Sequence, residues 1–197
     1  MNNPHIHSLL STGNAFTTAQ AVAAGISRQT LCDYLQAGKL IRMGRGIYLP
    51  AHESKSESPE IEVLQQKGCD FVLCLLSALR FYNIGTQHSH AIWISVKKAR
   101  HIPSVNFPLE CLRLEEHLYS ALFTIQTINN LPIKVYTPAR TVADCFRFRN
   151  RIGLDVAMEA LRDGWHKKLF TVDEILEAAK ICRIANTLTP YLEMLVG

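Results

Sequence analysis

The apolar positions of the first fifty residues repeat at helical spacing three times and then alternate along the chain. The pattern predicts three helices that end at Gly13, Gly25 and Gly38, because glycine tolerates the left-handed backbone that often closes a helix. Only two residues separate the second helix from the third, so these two form a sharp helix-turn-helix. Residues 39–49, KLIRMGRGIYL, then predict a two-stranded hairpin. Three helices followed by a hairpin is the layout of a winged helix.

The middle of the chain predicts a buried helix followed by strands. Residues 63–85 include a run from 71 to 76 that is apolar on all sides, which favours a helix buried within a domain. Residues 91–96 are β-branched and aromatic and predict a strand. Residues 122–137 alternate on both sides of an Asn-Asn pair, which is typical of a hairpin whose turn needs left-handed residues.

Four helices are predicted at the C-terminal end, over residues 138–150, 153–163, 171–183 and 188–196. Pro138 and Pro190 suit the starts of the first and last of these helices, because the first turn leaves its N–H groups unbonded. Thr171 and Glu174 have capping-box spacing at the start of the third. The predicted fold class is α+β: an N-terminal winged helix-turn-helix followed by a mixed α+β domain that ends in a helical bundle.

A change in composition predicts where the domains meet. Residues 51–60, AHESKSESPE, contain serines, glutamates, a lysine and a proline and have almost nothing to bury, as in an exposed linker. The linker divides the chain into a winged helix-turn-helix DNA-binding domain of residues 1–50 and an α+β domain of residues 61–197.

The bulk composition excludes several classes of protein. The chain has 197 residues, of which 48% are apolar and 19% are charged, as in ordinary globular domains. Its first residues lack the basic and apolar regions of a signal peptide, and its longest apolar run is far short of the roughly 20 residues that span a bilayer. We therefore expect a soluble, cytoplasmic protein that does not contact a membrane.

The cysteine and histidine spacings do not predict a metal site. None of the six cysteines forms a C-x-x-C pair, and the His-Ser-His stretch at 88–90 has no third ligand nearby. We expect six reduced thiols that act mainly as small core residues, with no metal and no cofactor.

Basic charge is concentrated in two segments, although the net charge is only +4. The first segment, residues 1–50, has one acidic residue, Asp33, and four basic residues: Arg28, Lys39, Arg42 and Arg45. The second, residues 140–151, has one acidic residue, Asp144, and four arginines: Arg140, Arg147, Arg149 and Arg151. Each segment is a candidate surface for an anionic partner.

The third predicted helix has a polar side that suits DNA. Leu31 and Leu35 share its core side, and short polar side chains on the opposite side can hydrogen-bond to base edges in the major groove. The hairpin arginines are placed for phosphate or minor-groove contacts. Asp33 argues against DNA unless its carboxylate accepts from a cytosine amino group. The candidate DNA-binding residues are Thr17, Thr18, Ser27, Arg28, Gln29, Thr30, Lys39, Arg42 and Arg45.

The stretch from Phe16 to Pro50 resembles the N-terminal module of AbiEi-type antitoxins, from the type IV toxin–antitoxin systems of bacterial abortive-infection loci. The resemblance continues in residues 137–164, TPARTVADCFRFRNRIGLDVAMEALRDG, and in PYLEML at 190–195. It implies a winged helix that binds inverted repeats in double-stranded operator DNA and represses its own operon. It also implies a C-terminal domain that counteracts a nucleotidyltransferase-like toxin, and it leaves direct contact with that toxin open.

Two interpretations of the second basic segment stay open. Arg140 with Asp144, and Asp144 with Arg147, are spaced for pairs along one helix, so the segment can be a salt-bridged, solvated face. Alternatively, Arg140, Arg147, Arg149 and Arg151 form a basic surface that meets nucleic acid or the toxin.

No catalytic motif is present in the sequence. It lacks a glycine-rich phosphate loop, a nucleophile elbow and a zinc-binding helix, and Asp155 and Glu159 lie on a segment that is typical of an amphipathic helix. We therefore predict that the protein is not an enzyme. Two alternatives to the repressor remain: a winged helix that binds only protein partners, and an enzyme of unknown type with a regulatory winged helix.

Overall fold

The structure is a computed structural model that describes residues 4–51, 58–87, 89–128 and 131–196. The chain divides into two compact units. The first contains Met1–Asp70, His101–Pro108 and Ile128–Leu131, and the second contains Phe71–Arg100, Leu109–Thr127 and Pro132–Gly197.

The first unit is a winged helix-turn-helix with one additional helix. Its elements are α1 (Pro4–Ser11), β1 (Phe16–Thr17), α2 (Thr18–Ala23), α3 (Arg28–Gln36), β2 (Leu40–Gly44), β3 (Ile47–Pro50) and α4 (Pro59–Gln66). The three predicted helices and the hairpin are confirmed. The strands form an antiparallel sheet in the order β1-β3-β2. The short strand β1 was not predicted, because two residues are too few to show alternation.

Helix α4 packs within the first unit. Its Val63 is fully buried in an apolar cluster with Met43, Ile47 and Leu49 of the hairpin. Residues 52–57 of the predicted linker lie outside the described residues. The division into functional domains at residues 51–60 stays a prediction, but the N-terminal segment of the first compact unit continues through α4 to Asp70.

The second unit joins a five-stranded sheet to a group of helices. Its elements are β4 (Val72–Leu73), α5 (Leu75–Phe81), β5 (Ile92–Lys97), β6 (Leu109–Leu114), α6 (Glu116–Tyr119), β7 (Phe123–Ile128), β8 (Leu131–Tyr136), α7 (Pro138–Arg147), α8 (Arg149–Ile152), α9 (Leu154–His166), α10 (Val172–Ile181) and α11 (Ala185–Val196). The strand order is β6-β5-β4-β8-β7. The predicted α+β class is confirmed, as are the strand near 91–96 and the two strands of 122–137. Their turn at Asn129–Asn130 lies outside the described residues.

The prediction of one buried helix over residues 63–85 is wrong. Helix α4 ends at Gln66, Gly68 adopts a left-handed φ of 66°, and the apolar run then forms strand β4 before α5 begins. Strand β4 pairs with β5 on one side and with β8 on the other. A central strand is buried on both faces, so its sequence is apolar without alternation and resembles a buried helix.

Two of the predicted helix boundaries also differ in the structure. Pro190 lies inside α11, which begins at Ala185, and not in its first turn. The predicted helix 138–150 is interrupted at Phe148 and continues as α8. Pro138 at the start of α7 and the capping box of Thr171 with Glu174 are confirmed.

Helix α7 is the centre of the second core. It packs against α5, α9, α10 and α11. The buried thiols of Cys74, Cys145 and Cys182 belong to this core, whereas Cys32 is exposed on α3. Across the described ranges, no group of three potential metal ligands occurs, and no helix has the length and apolar character of a bilayer-spanning segment.

Candidate nucleic-acid interface

Helix α3 begins at an N-cap that uses two of the predicted site residues. The Ser27 hydroxyl accepts from the backbone N–H of Thr30 at 3.0 Å, and the Ser27 and Thr30 hydroxyl oxygens lie 2.9 Å apart. These contacts satisfy an N–H that the first turn leaves unbonded. Ser27 and Thr30 therefore act first as the cap that fixes the start of α3.

The exposed face of α3, which consists of Gln29, Cys32, Asp33 and Gln36, carries a hydrogen-bonded pair. Gln29 Nε2 donates to Asp33 Oδ1 at 2.9 Å, across one helical turn. The bond orients the amide of Gln29, and within the described ranges no hydrogen bond engages the second carboxylate oxygen of Asp33, which can accept from a ligand. This pairing was not predicted from the sequence, although the i, i+4 spacing of a glutamine and an aspartate indicates it.

The start of α2 connects the helix-turn-helix to the hairpin. Thr17 and Gln20 form a capping box, in which the Thr17 hydroxyl accepts from Gln20 N at 3.1 Å and Thr17 N donates to Gln20 Oε1 at 2.7 Å. The backbone N–H and the hydroxyl of Thr18 both donate to the carbonyl of Gly46, at 2.8 and 3.3 Å. The two threonines thus hold the hairpin turn against the first turn of α2, whichever ligand the surface binds.

The hairpin β2–β3, which we call the wing, carries two arginines, Arg42 within β2 and Arg45 at the turn. Gly46 adopts the left-handed φ of 72° that the turn requires. Arg42 and Arg45 are exposed, and Arg42 Nε lies 3.4 Å from the Gly44 carbonyl oxygen. Lys39, which directly precedes β2, lies with its ammonium 5.2 Å from the centre of the Tyr34 ring.

The basic side chains of the first unit are not neutralised by neighbouring acids. Within the part of the chain that the structure describes, no Asp or Glu forms an ion pair with Arg28, Arg42 or Arg45. The first turn of α3 and the wing therefore present unpaired positive charge, which attracts a polyanion.

Arg140, by contrast, does not belong to any surface. Its side chain is 0% exposed, and its Nε donates to Asp144 Oδ2 at 2.9 Å. The guanidinium also lies 4.7 Å from the centre of the Tyr136 ring and donates to the carbonyl of Ala121 at 3.4 Å. The predicted pair with Asp144 exists, but neither a solvated face nor a basic surface includes it, because α7 is enclosed by other helices.

Burial and charge act in opposite directions on this pair. Burial raises the pKa of Asp144, whereas the Arg140 charge and its hydrogen bond lower it. The second carboxylate oxygen accepts from the Cys182 thiol at 3.3 Å. The buried groups satisfy one another only in part, since among the described residues Arg140 Nη2 is buried without a hydrogen-bond partner.

The other three arginines of the second basic segment are engaged with their own unit. Arg147 donates to the carbonyl of Cys182 at 3.3 Å, and Arg149 donates to that of Phe146 at 2.9 Å. Arg151 forms an ion pair with Glu110 and lies 4.8 Å from the centre of the Trp93 ring. These contacts favour a structural role for the segment, and a second nucleic-acid or toxin surface stays a prediction.

Comparison with known proteins finds a family match for part of the first unit. Residues 6–51 match the model of a family described as transcriptional regulator, AbiEi antitoxin. The resemblance found in the sequence is thereby confirmed for the winged helix. No curated protein shows significant similarity to the chain.

Proposed function

Because residues 6–51 match the model of the AbiEi antitoxin family of transcriptional regulators, we propose that the protein is a DNA-binding repressor of its own toxin–antitoxin operon and the antitoxin of that system. One observation carries the DNA-binding part of this proposal. The exposed polar face of α3 lies in the same unit as the wing. No acidic residue of the described chain forms an ion pair with Arg28, Arg42 or Arg45.

Helix α3 is the recognition element of the proposal. Its first turn enters the major groove, where the Gln29–Asp33 pair faces base edges. An ionised carboxylate accepts hydrogen bonds and donates none, so the pair suits a base with an exocyclic amino group, cytosine or adenine. The wing arginines contact phosphates and set the register of the helix on the duplex.

Inverted repeats require two copies of this module on one operator. A helix-turn-helix that reads a palindrome places its two recognition helices about one DNA turn apart, roughly 10–10.5 base pairs, or a multiple of it. The resemblance of residues 137–164 to the same antitoxins supports the assignment of the second unit to the counteraction of a nucleotidyltransferase-like toxin. The proposal does not require a stable complex with that toxin.

A gel shift with the DNA upstream of the protein's own coding region tests the proposal. The full chain should retard this duplex more strongly than a scrambled duplex, and binding should weaken as salt rises. The double variant Arg42→Gln/Arg45→Gln should reduce the slope of log affinity against log salt by about 1–2 units, because about 0.9 counterions are released per phosphate contact. Lys168→Gln, which removes an exposed cation from the second unit, is the matched control.

The proposal fails if the protein binds the upstream duplex no more tightly than the scrambled duplex, at low salt as well as at high salt. That result would favour the winged helix as a protein-interaction module. A shift that all variants share equally would instead show that the DNA-contacting surface lies elsewhere on the chain.

The face of α3 gives a prediction about sequence preference. Gln29→Ala should relax the preference at one base pair of each half-site, at a cost of about 1–3 kcal/mol on the preferred base. Competition among operator duplexes with single substitutions measures this effect. Gln87→Ala, which removes an exposed glutamine from the second unit, should leave the profile unchanged.

A further inference from the structure

The wing contains two glycines, and its backbone conformation accounts for only one of them. Gly46 has the left-handed φ of the turn, whereas Gly44 does not have a left-handed φ. A Cβ atom on Gly44 would lie 2.9 Å from Lys67 Cε, 3.2 Å from Lys67 Nζ and 3.4 Å from the carbonyl oxygen of Ser104. Gly44 therefore leaves the space that the end of the Lys67 side chain occupies.

Lys67 reaches the wing from the C-terminal end of α4. It is the C-cap residue of that helix, and its backbone N–H donates to Val63 O at 3.1 Å. The helix is attached to the winged helix by the buried Val63 and by Gln66 Nε2, which donates to Ala15 O at 2.7 Å. The lysine therefore extends from a fixed base.

The ammonium group of Lys67 lies beside the backbone of the wing turn. Its Nζ is 3.5 Å from the carbonyl oxygen of Arg45, and Arg42 Nε is 3.4 Å from the carbonyl oxygen of the adjacent Gly44. In the described ranges, no carboxylate forms an ion pair with any of these three cations. The C-terminus of α4 favours a cation nearby, but the lysine is held against the wing carbonyl rather than against the end of its own helix.

We propose that Lys67 is a third DNA-backbone contact, which completes a phosphate-binding cluster with Arg42 and Arg45 over Gly44. The inference rests on the proposed function and extends it. Lys67 lies outside residues 6–51, so the family match does not assign it. Lysine and arginine bind a phosphate together because both offer several donors and a full charge.

This inference is tested by measuring how the affinity of the full chain for the operator duplex and for a scrambled duplex changes with salt concentration. Lys67→Gln should weaken binding to both duplexes by the same factor and reduce the salt slope by about 0.9, the value for one phosphate contact. Lys67→Arg should retain the slope of the unmodified protein, and Lys168→Gln again serves as the matched control. Fluorescence anisotropy at salt concentrations from about 50 to 200 mM gives the slopes.

The Gly44→Ala variant tests whether the position of the Lys67 ammonium matters, because it leaves the charge of Lys67 in place. It keeps every cation but displaces the flexible end of Lys67, so it should also weaken binding. The loss caused by Gly44→Ala should disappear when Lys67→Gln is already present, since the two substitutions then remove the same contact. Thermal unfolding of each variant shows whether the winged helix stays folded.

The outcomes distinguish this inference from the function on which it rests. If Arg45→Gln reduces the salt slope while Lys67→Gln behaves like Lys168→Gln, the inference is wrong and Lys67 only caps α4. If the unmodified protein and Arg45→Gln both show no salt-dependent DNA binding, the proposed function itself is wrong and the inference falls with it.

Discussion

Cys32 reports directly on the exposed face of α3. It is an exposed thiol on that face, whereas Cys74, Cys145 and Cys182 are buried, and burial raises the pKa of each of the three. The thiolate is the nucleophile in alkylation. Burial therefore protects these three thiols in two ways, because it blocks access of the reagent and keeps the sulfur protonated.

We therefore predict that N-ethylmaleimide modifies Cys32 much faster than the buried thiols. Operator DNA should slow the reaction at Cys32 and leave that at Cys111, a half-buried thiol of the second unit, unchanged. Peptide mass spectrometry after short reaction times measures both sites. Equal rates at Cys32 with and without bound DNA would place α3 outside the interface.

Arg140 and Asp144 show what residue spacing reveals and what it does not. Their i, i+4 spacing predicted the pair correctly, and the same pattern suggested an accessible location, which is wrong. Helical spacing relates residues to their own helix axis only. Whether the polar side of that helix is also covered depends on the elements around it, which come from distant parts of the chain.

Removing one partner of this buried pair should destabilise the protein strongly. Asp144→Asn leaves the buried Arg140 charge uncompensated, so we expect a loss of about 3–5 kcal/mol in the free energy of unfolding. Urea denaturation measures it, with Asp173→Asn, at an exposed position, as the control. A loss below about 1 kcal/mol would mean that the pair contributes no more than a surface ion pair.

At the scale of whole elements, local signals predicted the helices better than the strands. Caps and stop residues identified α2, α3, α7 and α10, because they act within a few residues of the helix that they bound. Strand β4 has only two residues, and its identity depends on partners about 20 and 60 positions away in sequence. No local pattern distinguishes such a strand from a segment of buried helix.

Strand β6 was missed for a related reason. It pairs in parallel with β5 over Leu109–Leu114, and its polar residues Glu110 and Arg113 belong to the edge of the sheet. An edge strand of moderate polarity has a weak signal of its own. The part of the fold that the sequence predicts is therefore the part that local interactions specify.

The capping box of α10 gives a prediction at this scale. Thr171→Ala removes the hydroxyl that accepts from Glu174 N at 3.2 Å, and it should lower the free energy of unfolding by about 1 kcal/mol. Thr171→Ser, which keeps the hydroxyl, should retain most of the stability. Parallel denaturation curves for the two variants test this, and equal losses would show that the methyl group, not the cap, matters.

At the scale of the whole molecule, the first unit is assembled from separated parts of the chain. Residues 104–106, from the connection between β5 and β6, lie along the outer edge of β2. Val105 forms an antiparallel bridge with Gly44, and Asn106 donates to the carbonyls of Met43 and Arg42, both at 3.0 Å. The wing is thus supported by residues that a winged-helix pattern alone does not include.

Asn106→Ala should loosen the wing without disturbing the second unit. It removes the side-chain bond to the Arg42 carbonyl, and such a bond contributes about 0.5–1.5 kcal/mol. Hydrogen–deuterium exchange should become faster for the amides of β2 and β3 and remain unchanged in α9. Unchanged exchange in the wing would show that the backbone contacts of this segment are sufficient.

A nascent chain on the ribosome completes its helix-turn-helix and wing well before Asn106 is made. At about 5–20 residues per second, the roughly 55 residues that follow the wing take about 3–11 s to synthesise. Throughout this interval the outer edge of β2 is open to pairing with other strands, a hazard that edge strands counter with charged side chains. Arg42, in the middle of β2, places such a charge there, so we expect the guanidinium that we assign to DNA in the finished protein to oppose association of the unfinished one as well.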